Sequence, residues 1–110
     1  MTATPIVIAR RLAIQLLHEA QVAAPQAIDG VLTLSNGEPG RYLPRERAEG
    51  QALWARVFSN PTAPAVPSAD QLSDHQLTLM ISLDTKGVLE LRAWRQHQGL
   101  PQEQMVAVRD

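Results

Sequence analysis

A chain of 110 residues with 45% hydrophobic residues holds enough apolar mass for one core and not for two, so a single domain over residues 1–110 is expected. Formal net charge is −1 and the ten basic residues are scattered from Arg10 to Arg109, which leaves no basic stripe for nucleic acid and no polybasic patch for a membrane. Cysteine is absent, which excludes disulfides, thiol catalysis and thiolate metal sites together and suits a reducing cytoplasm. After Met1 to Ile8, Arg10, Arg11, Gln15 and His18 interrupt any secretory-type apolar run, and no stretch approaches the ~20 apolar residues of a membrane span. A soluble, cytoplasmic protein is the expectation.

Residues 5–8 read as a short strand. Ala9, Leu12, Ala13, Leu16, Leu17 and Ala20 then recur at three- and four-residue steps, the stripe of a helix with one buried face, and Pro25 ends that helix by about residue 23. Residues 28–34 read as a strand closed by the turn-forming run 35–40. Glu46, Arg47, Ala48, Gln51, Ala52 and Leu53 are mostly helix formers, so a helix is expected over 45–55, although Gly50 weakens it. A short strand at 56–59 leads into a Pro/Ala-rich loop at 61–67. Ser68 and Gln71 stand in the order of a capping box, opening a short helix over 69–75. Leu77, Leu79, Ile81 and Leu83 alternate with Thr78, Met80 and Ser82, the pattern of a strand with one buried face. Asp84 to Gly87 reads as a hairpin turn, a return strand runs to about Trp94, and residues 102–108 add an edge strand.

The segment from Phe58 to Leu72 carries the most specific pattern. Pro61 and Ser68 fall where a proline and a serine fall in the signature His-x-His-Pro, six variable residues, Ser, two variable residues, Asp. That signature belongs to the JAB/MPN (also called JAMM) family of metal-dependent isopeptidases, which this chain resembles. Phe58 and Asn60 stand at the two histidine positions and Gln71 at the aspartate. Catalytic zinc is held by three groups drawn from His, Asp, Glu and Cys. Phe58 offers no lone pair, and Asn60 and Gln71 offer only neutral amide oxygens. The family's general base is a glutamate on an early strand; the matching run from Ala27 to Leu32 puts Ala27 there, with Asp29 two residues on.

The resemblance implies an α/β (α+β) fold of the JAB/MPN, cytidine-deaminase-like kind: a curved, mostly antiparallel sheet flanked by helices. It is shortened between Leu34 and Arg56, where a typical member carries an additional strand and a longer helix. It also implies that Ser68 would help stabilise a reaction intermediate in an active member; as the residues stand, Ser68 is a helix cap. No catalytic residue, metal or cofactor is expected. Weak metal candidates are Asp70, Asp74 and His75, which read more simply as a solvated acidic face. His18, His75 and His97 share no two-ligand spacing, and Trp54 and Trp94 read as core or interface aromatics.

Active members of the family cleave bonds after ubiquitin-like or sulfur-carrier tails, and inactive members serve as scaffolds. The expected role is therefore a catalytically inactive protein-binding or scaffold module. Its partner would be a ubiquitin-like or sulfur-carrier protein, another MPN subunit, or a second copy in a homodimer through the 102–108 edge. The competing reading is a residual metal-dependent peptidase using Asp70, Asp74, His75 or Asn60.

Overall fold

In the computed structural model of the chain, residues 5–72, 77–83 and 90–109 are described. Strand β1 (Ile6–Ala9) runs directly into the helix α1 (Arg10–Ala23), whose Leu12, Ala13, Leu16 and Ala20 are buried as the three- and four-residue stripe requires. The helix stops where the sequence says it must. Ala24, held extended before Pro25 at ψ 140°, can only donate its amide back to the carbonyls of Ala20 and Gln21.

Strand β2 (Asp29–Ser35) and strand β3 (Glu38–Pro44) form a hairpin around Asn36 and Gly37, both at positive φ (53° and 79°). That is the two-residue turn Asn-Gly favours. The turn expected over 35–40 is thus confined to two residues, and the chain returns as a strand that the shortened middle was expected to lack. Gly30 on β2 lets the two strands close tightly, since a Cβ there would meet the Tyr42 ring at 2.5 Å and the Leu43 carbonyl at 2.6 Å.

The helix expected over 45–55 is absent. A single 3-10 turn covers Arg45–Arg47, Gly50 takes the left-handed conformation at φ 80°, and strand β4 already begins at Leu53 and runs to Asn60. Good helix formers without a continuous apolar stripe had nothing to bury on a helical face, and tertiary pairing of β4 with β2 prevailed.

The main sheet is completed by β5 (Leu77–Ser82), β6 (Glu90–His97) and β7 (Leu100–Gln104), in the order β3-β2-β4-β5-β6-β7. Every neighbouring pair is antiparallel except β4 with β5. The expected 102–108 edge strand divides at Met105: β7 is an edge of this sheet, whereas β8 (Val106–Arg109) pairs in parallel with β1 as a separate two-stranded sheet. The hairpin turn expected at Asp84 to Gly87 lies outside the described residues.

Strand β5 also departs from the expected one-sided burial, because all six of its residues are buried. Leu77, Leu79 and Ile81 join Leu12, Leu16 and Ala20 of α1 in the main core. Met80 belongs to a second, smaller core on the opposite face, and what covers that face is the loop after β4.

Candidate functional site

Strand β4 delivers the motif. Its register sets Phe58 opposite Asp29 on β2 and beside Met80 on β5, with Asn60 beside Ser82. Side chains two residues apart on a strand share a face, so Phe58 and Asn60 point to the side away from α1. Ala27 lies just before β2 and is exposed. The neighbouring Ile28 exchanges bonds with Ser59, its amide donating to Ser59 Oγ at 2.7 Å and its carbonyl accepting the Ser59 amide at 3.2 Å. The register therefore brings Ala27 to the Asn60 end of β4.

Phe58 is buried, 6% exposed, in a cluster with Ala65, Met80 and Trp94, against which Leu72 packs. The loop that runs from β4 through the 3-10 turn Ala69–Gln71 is laid over this cluster and fixed by side chains bonding its carbonyls. Ser82 Oγ donates to Ala63 at 2.7 Å, Trp94 Nε1 to Ala65 at 2.9 Å, and Thr78 Oγ1 to Gln71 at 3.3 Å. Asn60 Nδ2 donates to the Pro64 carbonyl at 3.4 Å, so its amide braces the loop rather than facing an open cavity.

Ser68 and Gln71 form the expected capping box, with Gln71 Oε1 accepting the Ser68 amide at 2.9 Å. Asp70 is exposed on that turn, and Asp74 and His75 lie outside the described residues. His18 and His97 are exposed on separate elements. Among the described residues no group of three or more His, Asp or Glu side chains is placed to hold a metal. The donor set that is described does not fit zinc: a phenyl ring, an amide donating to a backbone carbonyl, and an amide committed to a helix cap.

Two arginines that the motif reading passed over flank the cluster. Arg56 lies over the Phe58 ring at 4.7 Å and reaches Asp29 at 3.8 Å; Arg92 lies over the Trp94 ring at 4.8 Å and forks onto both carboxylate oxygens of Glu103 at 2.8 and 2.6 Å. The hydrogen bonds from Arg92 hold the Glu103 carboxyl below its ordinary range and raise Arg92 in turn. On the far side of β2, burial pushes the Tyr42 hydroxyl up, assisted by the charges of Glu19, Asp29 and Glu46. The signal for Arg56 and Arg92 was present as the i, i+2 spacing Arg-x-Phe and Arg-x-Trp, which places each pair on one strand face.

No protein-family model matches the sequence, and none of the curated proteins matches it. Solved structures do. A protein from Desulfitobacterium hafniense, determined in solution, superposes with a TM-score of 0.77 at 17% identity over 96% of this chain and 93% of that one. A JAB1/MPN domain protein from Archaeoglobus fulgidus superposes with a TM-score of 0.71 at 16% identity, over 98% and 99% of the two chains. A structure described as JAMM, a metalloprotease-like zinc site in the proteasome and signalosome, gives 0.67 at 18% identity over 94% and 99%.

Proposed function

We propose that this chain, which has the JAB1/MPN fold, binds protein rather than cleaving it. The observation that carries the reading is the buried Phe58, Ala65, Met80 and Trp94 cluster, which contains the residue that the resemblance sets at a histidine position. A hydrolytic centre of this kind needs a zinc-bound water and a carboxylate to take its proton. Here the two histidine positions are a buried ring and a loop-bracing amide, and the position of the base is Ala27. A loop held by four side-chain bonds to its carbonyls suits a fixed contact surface better than a substrate channel. The partner would be a ubiquitin-like or sulfur-carrier protein, another MPN subunit or a second copy of the chain.

Thermal melts of the purified chain with and without zinc, run beside a peptide-cleavage assay and affinity capture from the native host, test this. A zinc-insensitive melt, no cleavage and a stoichiometric protein partner are expected. A melting temperature that climbs with zinc concentration, as mass action demands of a bound metal, together with zinc-dependent cleavage, would overturn the reading.

A further inference from the structure

At the end of the sheet opposite the motif loop, a cleft of about 480 Å³ opens between β1, the β2–β3 turn and the start of β4. Trp54, which lines it and packs against the main core, precedes Phe58 of the second core by four residues of β4, about 13 Å at ~3.3 Å per residue. The cleft is thus separate from the Phe58 cluster. Arg11 from the first turn of α1, Arg95 from β6 and Arg109 from β8 converge on it, opposed among the described lining residues by Glu38. In a chain of net charge −1, this is a local excess of two positive charges among the described residues.

The three arginines differ from those that flank Asp29 and Glu103. Arg45, Arg56 and Arg92 are each committed to a carboxylate. Arg11, Arg95 and Arg109 form no ion pair among the described residues, although Glu38 lines the same cleft. Cations gathered from three separate elements raise one another's electrostatic energy, which a bound anion would relieve. Guanidinium groups take phosphate oxygens two at a time. Trp54 adds a second chemistry: it packs partly against the main core and is half-buried, leaving part of an indole on the cleft wall for a flat ring. The volume falls in the range of sites for small organic ligands.

We infer that this cleft binds a phosphate-bearing small molecule with a flat ring, of the nucleotide class, with Arg11, Arg95 and Arg109 on the phosphates and Trp54 against the ring. The inference does not depend on whether the Phe58 face binds protein or metal.

The test is a nuclear magnetic resonance titration of the full chain with ADP, with inorganic pyrophosphate and with a hexaglutamate peptide. The two indole N–H signals are assigned with Trp54→Phe. The expected result is saturable movement of the Trp54 indole signal with ADP while that of Trp94 stays still. Arg11→Gln and Arg95→Gln should each weaken ADP at least about tenfold, and Arg95→Lys should fall between Arg95→Gln and the unaltered chain, since it keeps the charge and loses the fork. Pyrophosphate should bind about tenfold more weakly than ADP for want of a ring. All three arginines are exposed, so an unchanged amide spectrum in each variant establishes that the fold is kept. No movement of the Trp54 signal at millimolar ADP would overturn the inference. So would undiminished affinity in the glutamine variants, pyrophosphate binding as tightly as ADP, or binding of hexaglutamate in preference to ADP.

Discussion

The indole N–H of Trp94 on β6 donates to the backbone carbonyl of Ala65 at 2.9 Å, and both residues are buried. This bond joins the end of the sheet's second core to the middle of the motif loop, across 29 residues of sequence. Trp94→Phe keeps most of the ring and strands the Ala65 carbonyl without its partner, which costs about 1–3 kcal/mol. Urea denaturation reads this directly. Unchanged stability would mean that the loop is not held to the sheet through Ala65.

Phe58 fills the centre of the same cluster. Phe58→Ala removes a buried ring and is expected to cost ~3–5 kcal/mol, lowering the denaturation midpoint with little change in slope. An alanine variant as stable as the unaltered chain would place the ring outside the core and remove the basis for calling the site filled.

The first half of the chain shows why some of this was legible and some was not. Helix α1 was readable because its apolar stripe and Pro25 specify the face and the end independently. Strand β3 was obscured because it contains Pro39, Gly40 and Pro44, residues that argue against a strand. It is tolerated because β3 is an edge, where a missing amide leaves no ladder partner unsatisfied. The Asn36-Gly37 pair was the hairpin signal, diluted by the turn formers around it.

In the site, Phe58, Asn60 and Gln71 were singled out by the resemblance to the family signature, and the capping box of Ser68 and Gln71 was visible from spacing alone. The roles of Met80, Thr78 and Ser82 were not. Alternation in β5 marked them as the outward face of a one-sided strand, whereas the Pro/Ala-rich loop covers that face and accepts a bond from Ser82, and the 3-10 turn after it accepts one from Thr78. No periodicity within β5 can announce a cover supplied by a loop elsewhere in the chain.

Acid should loosen the β6–β7 pairing before the rest of the sheet. Arg92 holds the Glu103 carboxyl below its ordinary value of 4.5, so the folded state favours the charged form. The resulting stability is present above that ordinary value and is lost as pH falls through the lower native one. Glu103 is largely exposed, so solvent screening keeps the effect to under ~1 kcal/mol. Glu103→Gln should therefore be less stable than the unaltered chain at pH 7, with the difference shrinking as pH falls below 4.5. A difference that does not shrink with acid would assign the loss to packing rather than to charge.

Installing the missing ligands tests whether the motif positions converge. Phe58→His, Asn60→His and Gln71→Asp together should create zinc affinity, because two imidazoles and a carboxylate complete the usual three-ligand set, whereas Asn60→His alone should create little. Cleavage should remain absent until Ala27→Glu supplies a general base, a contribution worth roughly 10² to 10⁴ in rate. A folded triple variant that takes up no zinc in calorimetry would show that these three positions do not meet.

The most direct measurement is zinc calorimetry on the unaltered chain after treatment with a chelator. A JAB1/MPN fold whose ligand positions are Phe58, Asn60 and Gln71 predicts no saturable heat and no change in melting temperature at equimolar zinc. One equivalent of zinc bound at submicromolar affinity, and lost on Asn60→Ala, would contradict it.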